Sequence, residues 1–375
     1  MKKDLYLAFV VVFQMVAVVF QLLLPLYGIM AVEQAAVLRI AITLLTFVPG
    51  VFLLMQRNSH LVIFTFSLYT IFLLFSYILY PESQSFISSR NVLTLTPIAI
   101  LSVLFVVSIN NWSAFHKVLL WVSRLTPILA FLFVWGIRYA PLDEETSYSM
   151  SFGYAFLLPS LFLFNQPNTI DKVFSAILFL SIVMVGSRGP VVVALIFFIY
   201  KFLFTSKTSH FLNFSIVLAI VGLSIMFLPE DVDMIQRSRT VDLATSGELL
   251  SHTSGRDDIQ EIVKEKILER PILGWGVGAD REFVGGYSHN IFLEIFMHYG
   301  LLGGGLLFLL LFGYLLKLYR NQCLLSLQDG REFFVIMFLF GFVPMLVSGS
   351  YLYNFNFALF VGYILRFTRI HFLAK

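Results

Sequence analysis

The sequence predicts an all-α fold, a polytopic membrane bundle of about twelve transmembrane helices with one large hydrophilic loop. Three observations support this. Hydrophobic residues make up 59% of the 375 residues and charged residues 13%, whereas a soluble domain carries roughly 25% charged residues. The mean hydropathy is +0.87. Long uncharged stretches recur along the chain, and 42 Phe residues exceed what one water-soluble core can bury.

Each predicted span is an apolar run close to the roughly 20 residues that cross a bilayer. The first run follows Lys2 and Lys3, is too long for a signal peptide and lacks a small-residue cleavage site. The predicted spans are 5–27, 36–55, 61–80, 92–109, 117–137, 150–165, 171–187, 190–206, 210–228, 289–316, 333–350 and 354–370.

The charges on the connectors predict how the bundle is oriented. With the N-terminus inside, the short outer connectors hold four arginines, Arg39, Arg90, Arg138 and Arg188. The cytoplasmic connectors and tails hold thirteen Lys and Arg, namely Lys2, Lys3, Arg57, Lys117, Lys172, Lys201, Lys207, Lys317, Arg320, Arg331, Arg366, Arg369 and Lys375. By the positive-inside rule, both termini are therefore cytoplasmic.

One connector is much longer than the others and faces away from the cytoplasm in this topology. It divides the chain into transmembrane helices one to nine (1–228), an extracytoplasmic helical loop (229–288) and transmembrane helices ten to twelve (289–375). Loops of this length in a compact protein are usually functional or disordered.

The loop carries its own helical pattern. Ser254 and Asp257 have the spacing of a capping box, apolar residues follow at helical intervals, and Pro271 ends the run. An amphipathic helix of about 16 residues is expected here, followed by a flexible turn at 274–278. That turn also resembles a phosphate cradle, but the strand that precedes the loop in that motif is not predicted here.

Two arginines on the predicted outer face are candidate anion ligands. Arg188 precedes Gly189-Pro190 at a predicted helix start, and the alternative is an arginine that anchors the helix end by snorkelling. Arg256 lies in the first turn of the loop helix, where free N–H groups, the helix dipole and a guanidinium all favour phosphate. The alternative for Arg256 is a surface residue that balances the acidic residues of its own helix.

Ser288-His289-Asn290 opens the tenth predicted span at the same face. Imidazole, with an ordinary pKa of about 6.5, is suited to proton transfer at neutral pH. The alternative is an interfacial histidine with no chemistry. Glu294 and His298 follow on the same predicted helix and are candidates because ionisable residues inside a membrane are functional by default.

These three groups come from separate parts of the chain and meet at one predicted membrane face. Two arginines match a diphosphate, and a histidine matches a hydroxyl that needs activation. Together they predict group transfer from a lipid-linked diphosphate outside the cytoplasm, where no nucleotide donors are available.

The stretch from about 180 to 316 resembles the superfamily of O-antigen polymerases and O-antigen ligases, bacterial membrane glycosyltransferases. The residues that carry the resemblance are Ser187-Arg188-Gly189, Ser254-Gly255-Arg256, Pro271, Gly274-Trp275-Gly276-Val277-Gly278, His289-Asn290, Leu293 and Gly300. The resemblance implies a metal-independent enzyme of the GT-C type that uses polyprenyl-linked sugars and no cofactor. It implies that Arg188 and Arg256 hold the donor diphosphate and that His289 deprotonates or orients the attacking sugar hydroxyl. Asn290 and Glu294 complete the predicted substrate-binding set.

One position departs from the family pattern. Many members have Glu nine residues after the histidine, whereas this chain has His298. The carboxylate expected beside the catalytic histidine is therefore missing at that place, and Glu294 is the candidate to replace it.

The preferred functional interpretation is a polymerase of undecaprenyl-diphosphate-linked oligosaccharide repeat units, O-antigen or capsule, on the outer face of the plasma or inner membrane of a bacterium. The implied partners are the lipid-linked donor and acceptor, membrane lipid and a chain-length regulator protein, with no nucleic acid. The alternatives are a ligase that transfers the glycan to lipid A–core, a protein oligosaccharyltransferase, which usually has a larger outer domain, and a transporter, which favours internal repeats and midplane charges. The single cysteine, Cys323, excludes an intramolecular disulfide and argues against a Cys-based metal site.

Overall fold

A computed structural model describes residues 2–139, 150–184, 188–204, 256–320 and 330–373. Within these ranges all regular structure is helical, as predicted. The α-helices are α1 (Lys2–Leu26), α2 (Val32–Leu79), α3 (Gln84–Ile87), α4 (Arg90–Ser108), α5 (Trp112–Tyr139), α6 (Met150–Phe164), α7 (Thr169–Met184), α8 (Arg188–Phe204), α9 (Arg256–Glu269), α10 (Ala279–Val284), α11 (Ile291–Tyr319), α12 (Gly330–Gly341) and α13 (Phe355–Leu373). Short 3₁₀ helices occupy Pro81–Ser83 and Val343–Leu346.

Four helices of the described residues are long and apolar enough to cross a membrane. They are α1, α2, residues Trp112–Gly136 of α5, and α11. A fifth span is added if the bent pair Pro81–Ile87 and Val92–Ser108 is one span, and three shorter apolar helices lie at Ser151–Phe164, Gly189–Phe204 and Phe355–Thr368. The chain is therefore a multi-pass membrane protein, but the predicted number of twelve spans is not confirmed. The predicted span 210–228 lies outside the described residues.

Helix α2 accounts for two of the predicted spans. A straight helix of its 48 residues would be about 70 Å long, roughly twice the thickness of a bilayer core. The backbone leaves the helical conformation at Asn58, with φ −143° and ψ 46°, between the predicted spans 36–55 and 61–80. The amide of Asn58 donates a hydrogen bond to Ser108 Oγ (2.8 Å), and Arg57 donates to the Ser108 carbonyl oxygen (3.0 Å).

The chain divides into two compact units, each assembled from two stretches of sequence. The first unit is Met1–Pro49 with Asn111–His252, and the second unit is Gly50–Asn110 with Thr253–Lys375. The predicted division at 228 and 288 concerns the sides of the membrane and stays a prediction.

Buried polar contacts join helices within the first unit. Gln14 on α1 accepts a hydrogen bond from Thr43 (2.8 Å) on α2, which satisfies its amide inside an apolar environment. Arg124 on α5 donates two bonds, of 2.7 and 2.8 Å, to the carboxylate of Asp171 on α7, which is 1% exposed. A buried carboxylate needs such a partner, because an isolated charge in an apolar interior is costly.

Helix α11 in the second unit is broken where it contacts the segment after α9. Gly300 has φ 62° and ψ −169°, a conformation that is essentially restricted to glycine. Residues 271–278, called the glycine strap here, cross α11 at this break and exchange hydrogen bonds with the backbone groups that the break exposes. The bonds are Trp275 N to Met297 O (2.8 Å), Gly276 N to His298 O (3.0 Å), Leu301 N to Pro271 O (2.7 Å) and Leu302 N to Ile272 O (3.1 Å).

The strap corrects the prediction of a flexible turn. Gly274, Gly276 and Gly278 all have positive φ (71°, 89° and 75°) and lie against neighbouring atoms. Trp275, between them, is 8% exposed, and its indole N–H donates to the Lys266 carbonyl oxygen (2.7 Å). The alternating glycines therefore fit a strap into a broken helix, rather than providing freedom of movement.

The predicted span 333–350 also differs in its second half. Helix α12 ends at Gly341, the 3₁₀ turn Val343–Leu346 follows, and residues 348–350 are not helical. Pro344, which has no N–H to donate, lies in that turn, and Gly349 has φ 87°. Because the chain is not helical here, the hydroxyl group of Ser350 and the backbone N–H of Tyr351 can form hydrogen bonds with side chains of α11.

Candidate functional site

Helix α11 begins at Ile291, and Asn290 is its N-cap. The Asn290 side-chain oxygen accepts hydrogen bonds from Phe292 N (2.9 Å) and Leu293 N (3.4 Å). Asparagine is among the best N-cap residues because it satisfies N–H groups that have no partner inside the helix. The sequence places Asn290 in the substrate-binding set; its side-chain oxygen is occupied by this cap, and a role toward substrate stays a prediction.

His289 stands immediately before this cap in a strained conformation. Its φ is 54°, and among the described residues no other non-glycine residue has a positive φ. Side chains with a β-carbon rarely adopt this region, and such strain concentrates at functional sites. The imidazole lies 4.2 Å from the Tyr287 ring, between centroids, and its buried Nδ1 has no hydrogen-bond partner within the described part of the chain. Nδ1 of His289 therefore has a hydrogen-bonding capacity that no described residue uses.

Arg256 is the first residue of α9 and lies near His289. Its guanidinium donates a hydrogen bond to the Val347 carbonyl oxygen (2.7 Å). Burial lowers the pKa of His289 most, the positive charge of Arg256 lowers it further, and the charge of Asp280 opposes both. Two of the predicted site residues, Arg256 and His289, are thus brought together in the second unit. Helix α9 ends at Glu269, close to the predicted stop at Pro271, while Ser254 of the predicted capping box lies outside the described residues.

Glu294 lies one turn inside α11 and is 1% exposed. Arg281 donates to Glu294 Oε1 (2.8 Å), Ser350 Oγ donates to the same oxygen, and Tyr351 N donates to Oε2 (3.2 Å). Both carboxylate oxygens are thus occupied by protein donors. This geometry makes Glu294 a link between α11 and the segment after α12, and its predicted contact with substrate stays a prediction.

A second carboxylate, Asp280, was missed by the sequence reasoning. It lies on the short helix α10, is completely buried, and binds the guanidinium of Arg281 beside it. Its Oδ1 lies 2.9 Å from Nε2 of His298, and its Oδ2 accepts a hydrogen bond from Ser288 N (3.1 Å). A carboxylate is therefore present beside His298, but α10 supplies it. The only sequence signal was the position of Asp280 two residues after the last of the three alternating glycines.

His298 connects this carboxylate to two tyrosines. Its Nδ1 lies 2.8 Å from Tyr351 Oη, which in turn donates to Tyr299 Oη (2.7 Å). The other nitrogen, Nε2, lies 3.1 Å from Gly278 N and 2.9 Å from Asp280 Oδ1.

The buried charges of Asp280, Arg281 and Glu294 are paired with one another. Burial alone would raise the pKa of Asp280, but His298 and Arg281 together lower it, so the carboxylate is ionised. Burial alone would likewise lower the pKa of Arg281, but Asp280 and Glu294 raise it. A buried guanidinium held by two carboxylates satisfies the requirement that interior charges be paired and hydrogen-bonded.

Asp280, Glu294 and His298 place one potential metal-ligand atom each within 4.8 Å of one another. Both carboxylates already bind Arg281, so a cation occupies the position between them. A metal ion would have to displace this guanidinium from two hydrogen-bonded ion pairs. The donor set does not fit a resident metal while Arg281 is in place.

Arg188 begins α8, at the predicted position, in the first unit. Its side chain and Ser187 lie outside the described residues. That Arg188 and Arg256 share one site therefore stays a prediction.

The strap, the capped start of α11 and the arginine at the start of α9 form one stretch of sequence that agrees with a known family. Residues 173–310 match the family model described as O-antigen ligase. This match covers rather more than a third of the chain and confirms the resemblance to the O-antigen polymerase and ligase superfamily that the sequence predicted. No curated protein and no solved structure matches the chain significantly.

Proposed function

We propose that this protein is a glycosyltransferase that polymerises undecaprenyl-diphosphate-linked oligosaccharide repeat units on the outer face of the plasma or inner membrane. The observation that carries the proposal is the strained, partly buried His289 before α11, with an unpartnered Nδ1 and within the electrostatic reach of Arg256, inside the matched O-antigen ligase region. A fixed cation beside a neutral, partly buried imidazole is the arrangement that a lipid diphosphate donor and a sugar hydroxyl acceptor require.

In the proposed reaction the growing glycan is the donor and a second lipid-linked repeat unit is the acceptor. A hydroxyl at the non-reducing end of the acceptor attacks the anomeric carbon of the donor, and its proton passes to the imidazole of His289. The new glycosidic bond forms as the bond from the anomeric carbon to the diphosphate oxygen breaks. Attack opposite the leaving group inverts the anomeric configuration, and undecaprenyl diphosphate departs.

The leaving diphosphate needs compensation for its charge. Arg256 stands at a helix N-terminus, where the N–H groups and the helix dipole also favour an anion. Arg188, at the start of α8, is the proposed second ligand. Guanidinium binds phosphate oxygens in a bidentate manner, so two arginines can hold a diphosphate without a metal ion. This chemistry is of the metal-independent GT-C type.

The lowered pKa of His289 supports its role as the base. Burial and Arg256 keep the imidazole neutral near physiological pH, so its free nitrogen can accept a proton. A positioned general base typically contributes about 10²–10⁴-fold to the rate. His289→Ala is therefore expected to lose activity by about that factor while the protein still binds the lipid-linked donor.

The second candidate function is the O-antigen ligase reaction, which the description of the matching family favours. The chemistry at His289 is the same, but the acceptor is lipid A–core. Deletion of the gene separates the two. Surface glycan that carries single repeats on core on a gel supports the polymerase, whereas full-length glycan left on the lipid carrier supports the ligase. Unchanged surface glycan contradicts both.

A further inference from the structure

The backbone around His289 is held from both sides. Ser288 N donates to Asp280 Oδ2 (3.1 Å), and Ser288 Oγ donates to the Asn290 carbonyl oxygen (3.0 Å). The first bond fixes the residue before His289, and the second spans it. Ser288 itself is completely buried, so water cannot replace either bond at low cost. A histidine in the left-handed region persists only where its surroundings over-determine it, and these two bonds do so.

The Asp280 carboxylate, which accepts the bond from Ser288 N, is itself held in a fixed orientation. Asp280 is completely buried and is oriented by Arg281 and by His298 Nε2 (2.9 Å), so its carboxylate has one accessible position. Both partners are in turn fixed: Arg281 donates to Glu294 (2.8 Å), and His298 contacts Tyr351 (2.8 Å). Through these bonds, Asp280 connects α11 and the segment after α12 to the backbone around His289.

We propose that Asp280 is a positioning residue for His289: through its bond with Ser288 N it fixes the left-handed backbone of the catalytic histidine. The proposal rests on the proposed function for its kinetic consequence, but not for its structural one. The carboxylate that supports the histidine is then Asp280 on α10, whereas the sequence offered Glu294 for this role.

Asp280 also affects the protonation of His289, as the charged groups that face the imidazole show. These are Arg256 from α9 and Asp280 from α10, and the Tyr287 ring contacts the imidazole in a tilted arrangement. Burial and Arg256 favour the neutral ring, and Asp280 favours the protonated ring. Without the Asp280 charge, His289 holds its proton less well and becomes a weaker base. A purely structural role for Asp280 would leave the titration of His289 unchanged.

The test compares Asp280→Asn with Glu282→Gln in the full-length protein in lipid nanodiscs. Glu282 is an exposed carboxylate on the same short helix and is the matched control. Two readouts are used: carbethoxylation of His289 by diethyl pyrocarbonate as a function of pH, followed by mass spectrometry, and transfer from an undecaprenyl-diphosphate oligosaccharide. Diethyl pyrocarbonate modifies the neutral imidazole, so the first readout does not depend on the proposed reaction.

In Asp280→Asn the midpoint of His289 modification should move to lower pH, and kcat should fall at least about tenfold with the donor KM changed by less than about twofold. In Glu282→Gln neither should move. An unchanged midpoint together with an unchanged kcat overturns the role of Asp280. If wild type and both variants show the midpoints expected here but none transfers sugar, the proposed function fails and the positioning role stands.

Asp280→Glu keeps the test decisive if Asp280→Asn does not yield folded protein. The longer side chain retains the charge but displaces the carboxylate from Ser288 N. We expect the modification midpoint of wild type with a reduced kcat. Full wild-type activity in Asp280→Glu would contradict positioning.

Discussion

The carbonyl oxygen of Ile272 lies 2.2 Å from the place that a β-carbon on Gly300 would occupy. The two residues stand where the glycine strap crosses the break in α11, and the next contact, the Ile272 carbonyl carbon, is also backbone. No side-chain rearrangement can relieve such a clash.

Gly300→Ala should therefore destabilise the protein by several kcal/mol, because the substitution combines a backbone clash with a glycine-only φ/ψ. A lower midpoint of thermal unfolding, followed by fluorescence size-exclusion chromatography in detergent, would report it. Gly305→Ala is the matched control, since Gly305 lies on the same helix and a β-carbon added there would have nothing within 4 Å. Equal unfolding midpoints for the two variants would mean that the strap does not pack on Gly300.

The sequence predicted the elements whose signal is local. The loop helix ends at Glu269, near the predicted stop at Pro271, because the proline and the helical spacing of apolar residues are local features of the sequence. His289 was found in the same way, as a titratable residue beside a helix start. Arg256 and His289 were expected at one face, and the structure brings them together.

The Asp280–His298 pair and the glycine strap could not be predicted in this way. The Asp280–His298 pair joins residues 18 positions apart, and the strap crosses α11 at its break, and hydrophobic periodicity reports neither such contacts nor such breaks. The same reason explains the error at 333–350. An apolar run reads as one span, although the chain leaves the helix at Gly341 so that Ser350 can reach Glu294.

Asn290→Ala should cost about 1 kcal/mol of stability, because Phe292 N and Leu293 N lose their acceptor at the helix start. Asn290→Asp, which keeps an acceptor oxygen at that place, should retain the wild-type unfolding midpoint. Thermal unfolding with and without lipid-linked donor separates a cap from a substrate ligand. If Asn290→Ala loses donor-induced stabilisation while its basal midpoint is unchanged, Asn290 binds substrate rather than capping α11.

The midpoint of His289 modification should shift in opposite directions in Arg256→Ala and in Asp280→Asn. The positive charge of Arg256 lowers the pKa of His289, so Arg256→Ala should raise it. The neutral ring is the base, and activity and carbethoxylation are lost as the pH falls through this pKa. The midpoint of His289 modification should therefore move to higher pH in Arg256→Ala and stay in place in Arg256→Lys, which keeps the charge. A shift of the same size in both variants would show that the charge is not the cause.

The orientation in the membrane is tested by reporter fusions. With thirteen cationic residues on the predicted cytoplasmic connectors against four on the short outer ones, a fusion near residue 250 should report the outer side. A fusion near residue 325 should report the cytoplasm. Two fusions that report the same side would contradict this topology.

The donor diphosphate provides the strictest test of the two arginines. Each hydrogen bond to a charged group contributes about 1.5–3 kcal/mol, so Arg188→Ala and Arg256→Ala should each weaken donor binding by about 10–100-fold. Lysine at either position should restore only part of this affinity, because an ammonium is a point charge and cannot bind two phosphate oxygens in a fork. Arg331→Ala, an exposed arginine at the predicted cytoplasmic end, is the control and should bind the donor as wild type does. If both variants are combined and the double variant loses no more affinity than one single variant, the arginines act as a unit on one diphosphate. If the Arg188→Ala variant binds the donor normally, Arg188 lies outside the site, and Arg256 with the N-terminus of α9 is left to hold the leaving group.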